Sequence, residues 1–166
     1  MQPVPIFRDA LLAPPDGRWL RRSLLNYLLT FVGSIAVVAA AFGMVALSGI
    51  PIDSLETPET RGGAWGFLGA VFFAPVVETL LLVMALALLP ERWGIVPRAI
   101  VAGLAFGGLH GIQAPMWFFG PAFAFFVFSC AYLTWRPLSF RHAFFAAALP
   151  HALVNLSTQA MDAIGG

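Results

Sequence analysis

The fold class this sequence predicts is all-α, a bundle of about five membrane-spanning helices. Two observations lead there. The 166 residues are 60% hydrophobic and 10% charged, against roughly 25% charged in soluble domains. The apolar residues also fall into five segments, about 24–49, 64–89, 98–113, 115–135 and 140–160, separated by Pro, Gly or charge. Together these leave room for one compact domain over residues 24–166 and none for a separate soluble one.

The first 23 residues are rich in proline and polar groups and precede an apolar run longer than the core of a signal peptide. They read as a cytoplasmic tail before a retained helix. Arginines stand in the tail (Arg8, Arg18, Arg21, Arg22), in the 90–98 loop (Arg92, Arg98) and in the 136–141 loop (Arg136, Arg141). The 50–63 loop is acidic, with Asp53, Glu56 and Glu59 against Arg61. This alternation places the N-terminus in the cytoplasm by the positive-inside rule. An arginine-only basic set suggests a bacterial inner membrane. Net charge is +1 and no basic block points to nucleic acid. Cys130 stands alone, which excludes an internal disulfide and any cysteine-based metal cluster, and reads as packing.

Three ionisable residues interrupt three different apolar segments: Glu78 in APVVETLLL, His110 in AFGGLHG and His151 in PHALVNL. Such groups at bilayer depth are costly unless they face a protein-lined cavity, which makes them functional candidates. Counted at about 1.5 Å per residue from the arginine-bearing ends, each lies roughly 17–18 Å deep. One shared level implies one shared site.

His151 and Asn155 are four residues apart and project from one helix face. Pro150 frees the carbonyl of Ala146, and Pro75 precedes Glu78 by three residues, both consistent with a small wet pocket. Gly103, Gly107 and Gly111 recur every four residues and form a smooth ridge for a close helix neighbour. Phe106 stands one turn before His110. Taken singly, His110 reads as a packing histidine and Asn155 as interhelical glue; Glu78 is harder to place as structure.

At these residues the chain resembles the CPBP family of intramembrane proteases, which includes type II CAAX prenyl proteases and bacteriocin-processing and immunity proteins. Ala74-Pro75-Val76-Val77-Glu78 matches the start of the family's A-P-I-x-E-E-x-x-x-R motif. Phe106 to His110 matches F-x-x-x-H, and His151 to Asn155 matches H-x-x-x-N, in the family's order. The resemblance covers about residues 67–158. Thr79 stands where the second Glu is expected and Val83 where the Arg is expected. Losing both members of an ion pair leaves no unpaired charge.

The resemblance implies hydrolysis of a peptide bond in a membrane-embedded or membrane-associated protein, leader or sorting peptide. Glu78, assisted by His110, would activate a water, and His151 and Asn155 would stabilise the oxyanion. It implies no metal and no other cofactor. Beside it stand a zinc-bound variant of the same site, an inactive immunity or assembly factor that binds a peptide tail, and a proton relay. An internal inverted repeat, which would favour the last, is missing from the sequence.

Trp19, Trp65, Trp93, Trp117 and Trp135 read as interfacial anchors near span ends. His142 reads as exposed or headgroup-facing, the Phe-rich fourth segment as lipid-facing or packing surface, and Gln113 as a cap or substrate contact. Oligomeric state is not written in the sequence.

Overall fold

The computed structural model describes residues 11–13, 15, 17–51, 55 and 63–165. Arg8 of the tail and the acidic-loop residues Asp53, Glu56, Glu59 and Arg61 lie outside these. Among the described residues every regular element is helical: α1 (Trp19–Leu47), α2 (Gly63–Leu88), α3 (Ile95–Gly111), α4 (Phe119–Trp135) and α5 (Phe140–Gly165). Short 3-10 turns at Glu91–Trp93 and Pro115–Phe118 lead into α3 and α4.

Three helices, Trp19–Leu47, Gly63–Leu88 and Pro115–Trp135, are long and apolar enough to cross a membrane. They mark the chain as an integral membrane protein. Helix α3 is apolar but has 17 residues, and α5 has 26 yet carries Arg141, His142, His151, Asn155 and a polar C-terminal turn. The first helix begins at Trp19, earlier than the apolar run suggests, because Arg21 and Arg22 continue the helix.

Residue contacts fix the direction of each helix. Gly33 of α1 meets Phe123, and Ser34 donates to the Gly120 carbonyl at 3.2 Å. Arg22, eleven positions earlier in α1, lies over the ring of Trp135 at the opposite end of α4, so α1 and α4 run antiparallel. Trp135 stacks on His142 while Phe128 stacks on His151, which makes α4 and α5 antiparallel too. At the Trp135 end, Thr134 donates to the Leu11 carbonyl, Leu11 packs with Ala99, Val127 and Cys130, and Arg98 donates to the Leu86 carbonyl. The arginine-bearing connections therefore gather at one end of the bundle.

The closest interface joins α3 to α4. A Cβ on Gly103 would stand 2.6 Å from the Ala122 carbonyl oxygen, one on Gly107 2.6 Å from the Ala122 Cβ, and one on Gly111 3.0 Å from the Phe118 Cβ. The four-residue glycine ridge predicted from the sequence is thus the surface that admits α4. Close approach of two backbones is the usual way membrane helices gain dispersion energy, since burial from lipid gains nothing hydrophobic.

Helix α4 is the centre of the bundle. Phe125, Val127, Phe128, Cys130 and Trp135 are all buried, so its aromatic density is core rather than lipid-facing surface. Trp135 is 2% exposed and corrects the interfacial expectation for that residue, because α1 and α5 close over it through Arg22 and His142. Trp19, Trp65 and Trp93 are exposed, as anchors should be.

Candidate functional site

The backbone of α2 prepares the position of Glu78. Gly69–Phe73 form a π-helical turn, in which the Ala74 N–H reaches back to the Gly69 carbonyl instead of that of Ala70. The next donor that could serve Ala70 belongs to residue 75, a proline with no N–H. The Ala70 carbonyl is left without a backbone partner, and the Asn155 amide donates to it from α5 at 2.8 Å. The first and third sequence motifs are joined by this bond. Pro75 opens an acceptor and Asn155 fills it.

One turn back along α5, His151 faces Glu78. Its Nε2 lies 3.6 Å from the Glu78 Oε2, with the histidine side chain 5% exposed and the glutamate 27%. Helix α5 passes through Pro150 without ending, and Pro150 itself is buried. His151 is held face-on by Phe128 (centroids 4.8 Å apart, planes at 21°) and edge-on by Phe125 (5.3 Å, 77°). The imidazole is clamped on two sides by rings and presents a nitrogen to the carboxyl group.

His110 completes the cluster from α3. Its ring lies 5.9 Å from that of Phe125, so both histidines pack on one phenylalanine. His110 Nδ1 is 2.7 Å from the Phe106 carbonyl oxygen. A carbonyl only accepts, so Nδ1 carries the proton and Nε2 of the neutral ring is left as an acceptor. Phe106 has a second task, stacking on Phe125 at 4.2 Å. Glu78 therefore meets His151, His110 packs on the same phenylalanine as His151, and Asn155 joins α5 to α2 one turn along from His151.

Two neighbours of the site escaped sequence reading. Phe125 touches Phe106, Phe128 and both histidines, yet in a segment so rich in phenylalanine nothing singles it out. Trp117, expected at the interface, stands edge-on to His110 at 4.9 Å because the 3-10 turn folds it back over α3. Thr79 is buried beside Glu78, and its hydroxyl has no hydrogen-bond partner; the same is true of His151 Nδ1. Val83, at the position of the family arginine, packs against the apolar core. His142 lies outside the site, exposed and bonded to Ser139 at 2.8 Å. Gln113 is exposed just beyond α3.

Among the described residues no group of three His, Cys, Asp or Glu side chains is placed to hold a metal ion. The donor set offers one carboxylate, two imidazoles of which one has a fixed tautomer, and one amide already donating. Proton transfer and N–H donation are the chemistry it can supply. No family model, curated protein or solved structure matches the chain.

Proposed function

We propose that the protein is an intramembrane endopeptidase of the CPBP type that uses Glu78 to activate water. The observation that carries this reading is the approach of Glu78 Oε2 to His151 Nε2 across two helices of an apolar bundle. A carboxyl group and an imidazole are expensive in such a place. Their 3.6 Å spacing, with Glu78 partly accessible, leaves the carboxylate open to a third group.

In this reading Glu78 takes a proton from water as the oxygen attacks the scissile carbonyl. His110 Nε2, its other nitrogen tied to Phe106, is a second acceptor for that proton. The His151 Nε2–H and the N–H of Asn155 not engaged with Ala70 donate to the oxygen that gains charge. The proton then passes to the leaving amine as the C–N bond breaks. Asn155 thus has two duties, holding α5 to α2 and contributing to the oxyanion site.

The arginine-bearing end faces the cytoplasm of a bacterial inner membrane under the positive-inside rule, with all five helices embedded. The substrate is a membrane-embedded or membrane-associated peptide segment that reaches Glu78 within the bilayer.

One observation favours a second reading. A buried hydroxyl at Thr79 and a core valine at Val83 replace the family's Glu and Arg, which suits an immunity or assembly factor that binds a peptide tail without cutting it. Profiling newly exposed N-termini in membranes expressing the wild-type chain or Glu78→Gln separates the two. Cleavage products that depend on Glu78 support the endopeptidase; identical profiles together with an unchanged cellular phenotype support the binder.

A further inference from the structure

We infer that the Thr79 hydroxyl is the donor that holds His151 by its second ring nitrogen, through one bridging water. A neutral imidazole carries one donor and one acceptor. Beside an ionised Glu78, whose oxygens only accept, Nε2 is the side of His151 that bears the proton and Nδ1 the side that needs a donor. That Nδ1 is buried, in a side chain 5% exposed, and no group among the described residues donates to it. Buried polar groups in folded proteins are nearly always served by a protein group or an ordered water.

The possible donors can be sorted by place. Among the described residues the buried side-chain atoms without a partner are Ser23 Oγ, Asn26 Oδ1, Thr79 Oγ1, Arg98 Nε and His151 Nδ1. Asn26 Oδ1 is itself an acceptor. Arg98 is bonded to Leu86 at the arginine end, and Ser23 follows Arg22, which lies over Trp135 at the same end. Thr79 remains. It adjoins Glu78, the residue already against this imidazole, on the helix that α5 packs against. An unused hydroxyl and an unused lone pair on facing helices are complementary.

Thr79 is then a positioning residue. Its hydroxyl selects the tautomer in which the His151 Nε2–H points at the Glu78 region. The bond itself does not depend on the protein's activity, whereas its catalytic meaning rests on the endopeptidase reading. It also gives a physical account of a threonine at the second-glutamate position: a carboxylate there would place a second negative charge beside Glu78, whereas a hydroxyl donates without charge.

The test is solid-state NMR of the full chain, labelled with 15N in the histidine rings and reconstituted in bilayers. The sequence has three histidines, so His110→Gln and His142→Gln variants assign the His151 signals. The expected wild-type spectrum shows Nε2 protonated and Nδ1 unprotonated with a hydrogen-bonded shift. In Thr79→Val, Nδ1 moves by several ppm toward the free value or a proton appears on it, while the His110 signals stay in place. Thr79→Ser restores the wild-type pattern. A wild-type ring protonated at Nδ1, or unchanged His151 signals in Thr79→Val, overturns the inference. A positive spectrum with no Glu78-dependent cleavage leaves the bond standing and removes only the endopeptidase reading.

Discussion

Asn155 hydrogen-bonds the Ala70 carbonyl at 2.8 Å because Pro75 and the π turn before it leave that carbonyl with no backbone donor. The pair ties the third motif to the first. One turn away on α5 and about two on α2, the same helices bring His151 to Glu78. The bond between Asn155 and Ala70 thus helps set the register in which α5 presents His151 to Glu78.

Replacing Asn155 by Leu strands the Ala70 carbonyl, whereas Pro75→Ala supplies the N–H that α2 lacks. Polar contacts between membrane helices are worth about 0.6 kcal/mol on average and up to about 1.7 kcal/mol. We expect Asn155→Leu to destabilise the bundle within that range. In the Pro75→Ala background the loss should shrink by at least half, since the carbonyl is already served. Reversible unfolding in bicelles, arranged as a double-mutant cycle, measures the coupling. Additive losses would mean that Pro75 and Asn155 act independently.

Gly107 and Gly108 give a paired test of the α3–α4 contact. A Cβ on Gly107 would meet the Ala122 Cβ at 2.6 Å and the Phe118 carbonyl oxygen at 3.0 Å, whereas a Cβ on Gly108 meets nothing within 4 Å. Gly107→Ala should cost about 1–3 kcal/mol through overpacking and shift His110, one turn on. Gly108→Ala should be neutral or slightly stabilising through helix propensity. The same unfolding measurement checks both, and equal effects would contradict the packing described.

Much of this was legible from residue types alone. The glycine spacing announced a close helix contact, and the three ionisable residues announced a shared site because a bilayer makes each too costly to place at random. The π turn was not legible, since Pro75 only shows that a backbone bond is missing and not how the turn relaxes. Nor was the tautomer of His110, which is set by the Phe106 carbonyl, a group every residue carries. Trp135 misled for a related reason: position near a span end is written in the sequence, but the neighbour that covers it is not. Five apolar runs were legible as five helices, yet only three of those helices are long and apolar enough to cross a membrane by themselves.

Phe125 should be the most sensitive apolar position near the site. It is 2% exposed and its ring touches Phe106, Phe128, His110 and His151. Truncating a buried phenylalanine to alanine costs about 3–5 kcal/mol in soluble cores, and the lost contacts here are of the same kind. Phe125→Ala should reduce the folded population in bicelles. Phe125→Leu should remain folded but release both imidazoles, broadening their ring 15N signals. Sharp, unshifted histidine signals in Phe125→Leu would show that the ring merely fills space.

Glu78→Gln tests the chemistry with little change of shape. The amide keeps the volume and the approach to His151, so the variant should insert and unfold like the wild type, within about 0.5 kcal/mol, as expected of a substitution that creates no cavity or buried charge. It cannot accept a proton from water. A missing general base costs roughly 10²–10⁴-fold in rate, and in the proposed mechanism no other carboxylate takes its place, so Glu78-dependent products should fall by at least that factor. Glu78→Asp, shorter by one methylene, keeps the base but draws it away from His151, and should retain a small fraction of activity. Full activity in Glu78→Gln would place the base elsewhere, and His110 Nε2, the remaining acceptor in the cluster, would be the first alternative to examine.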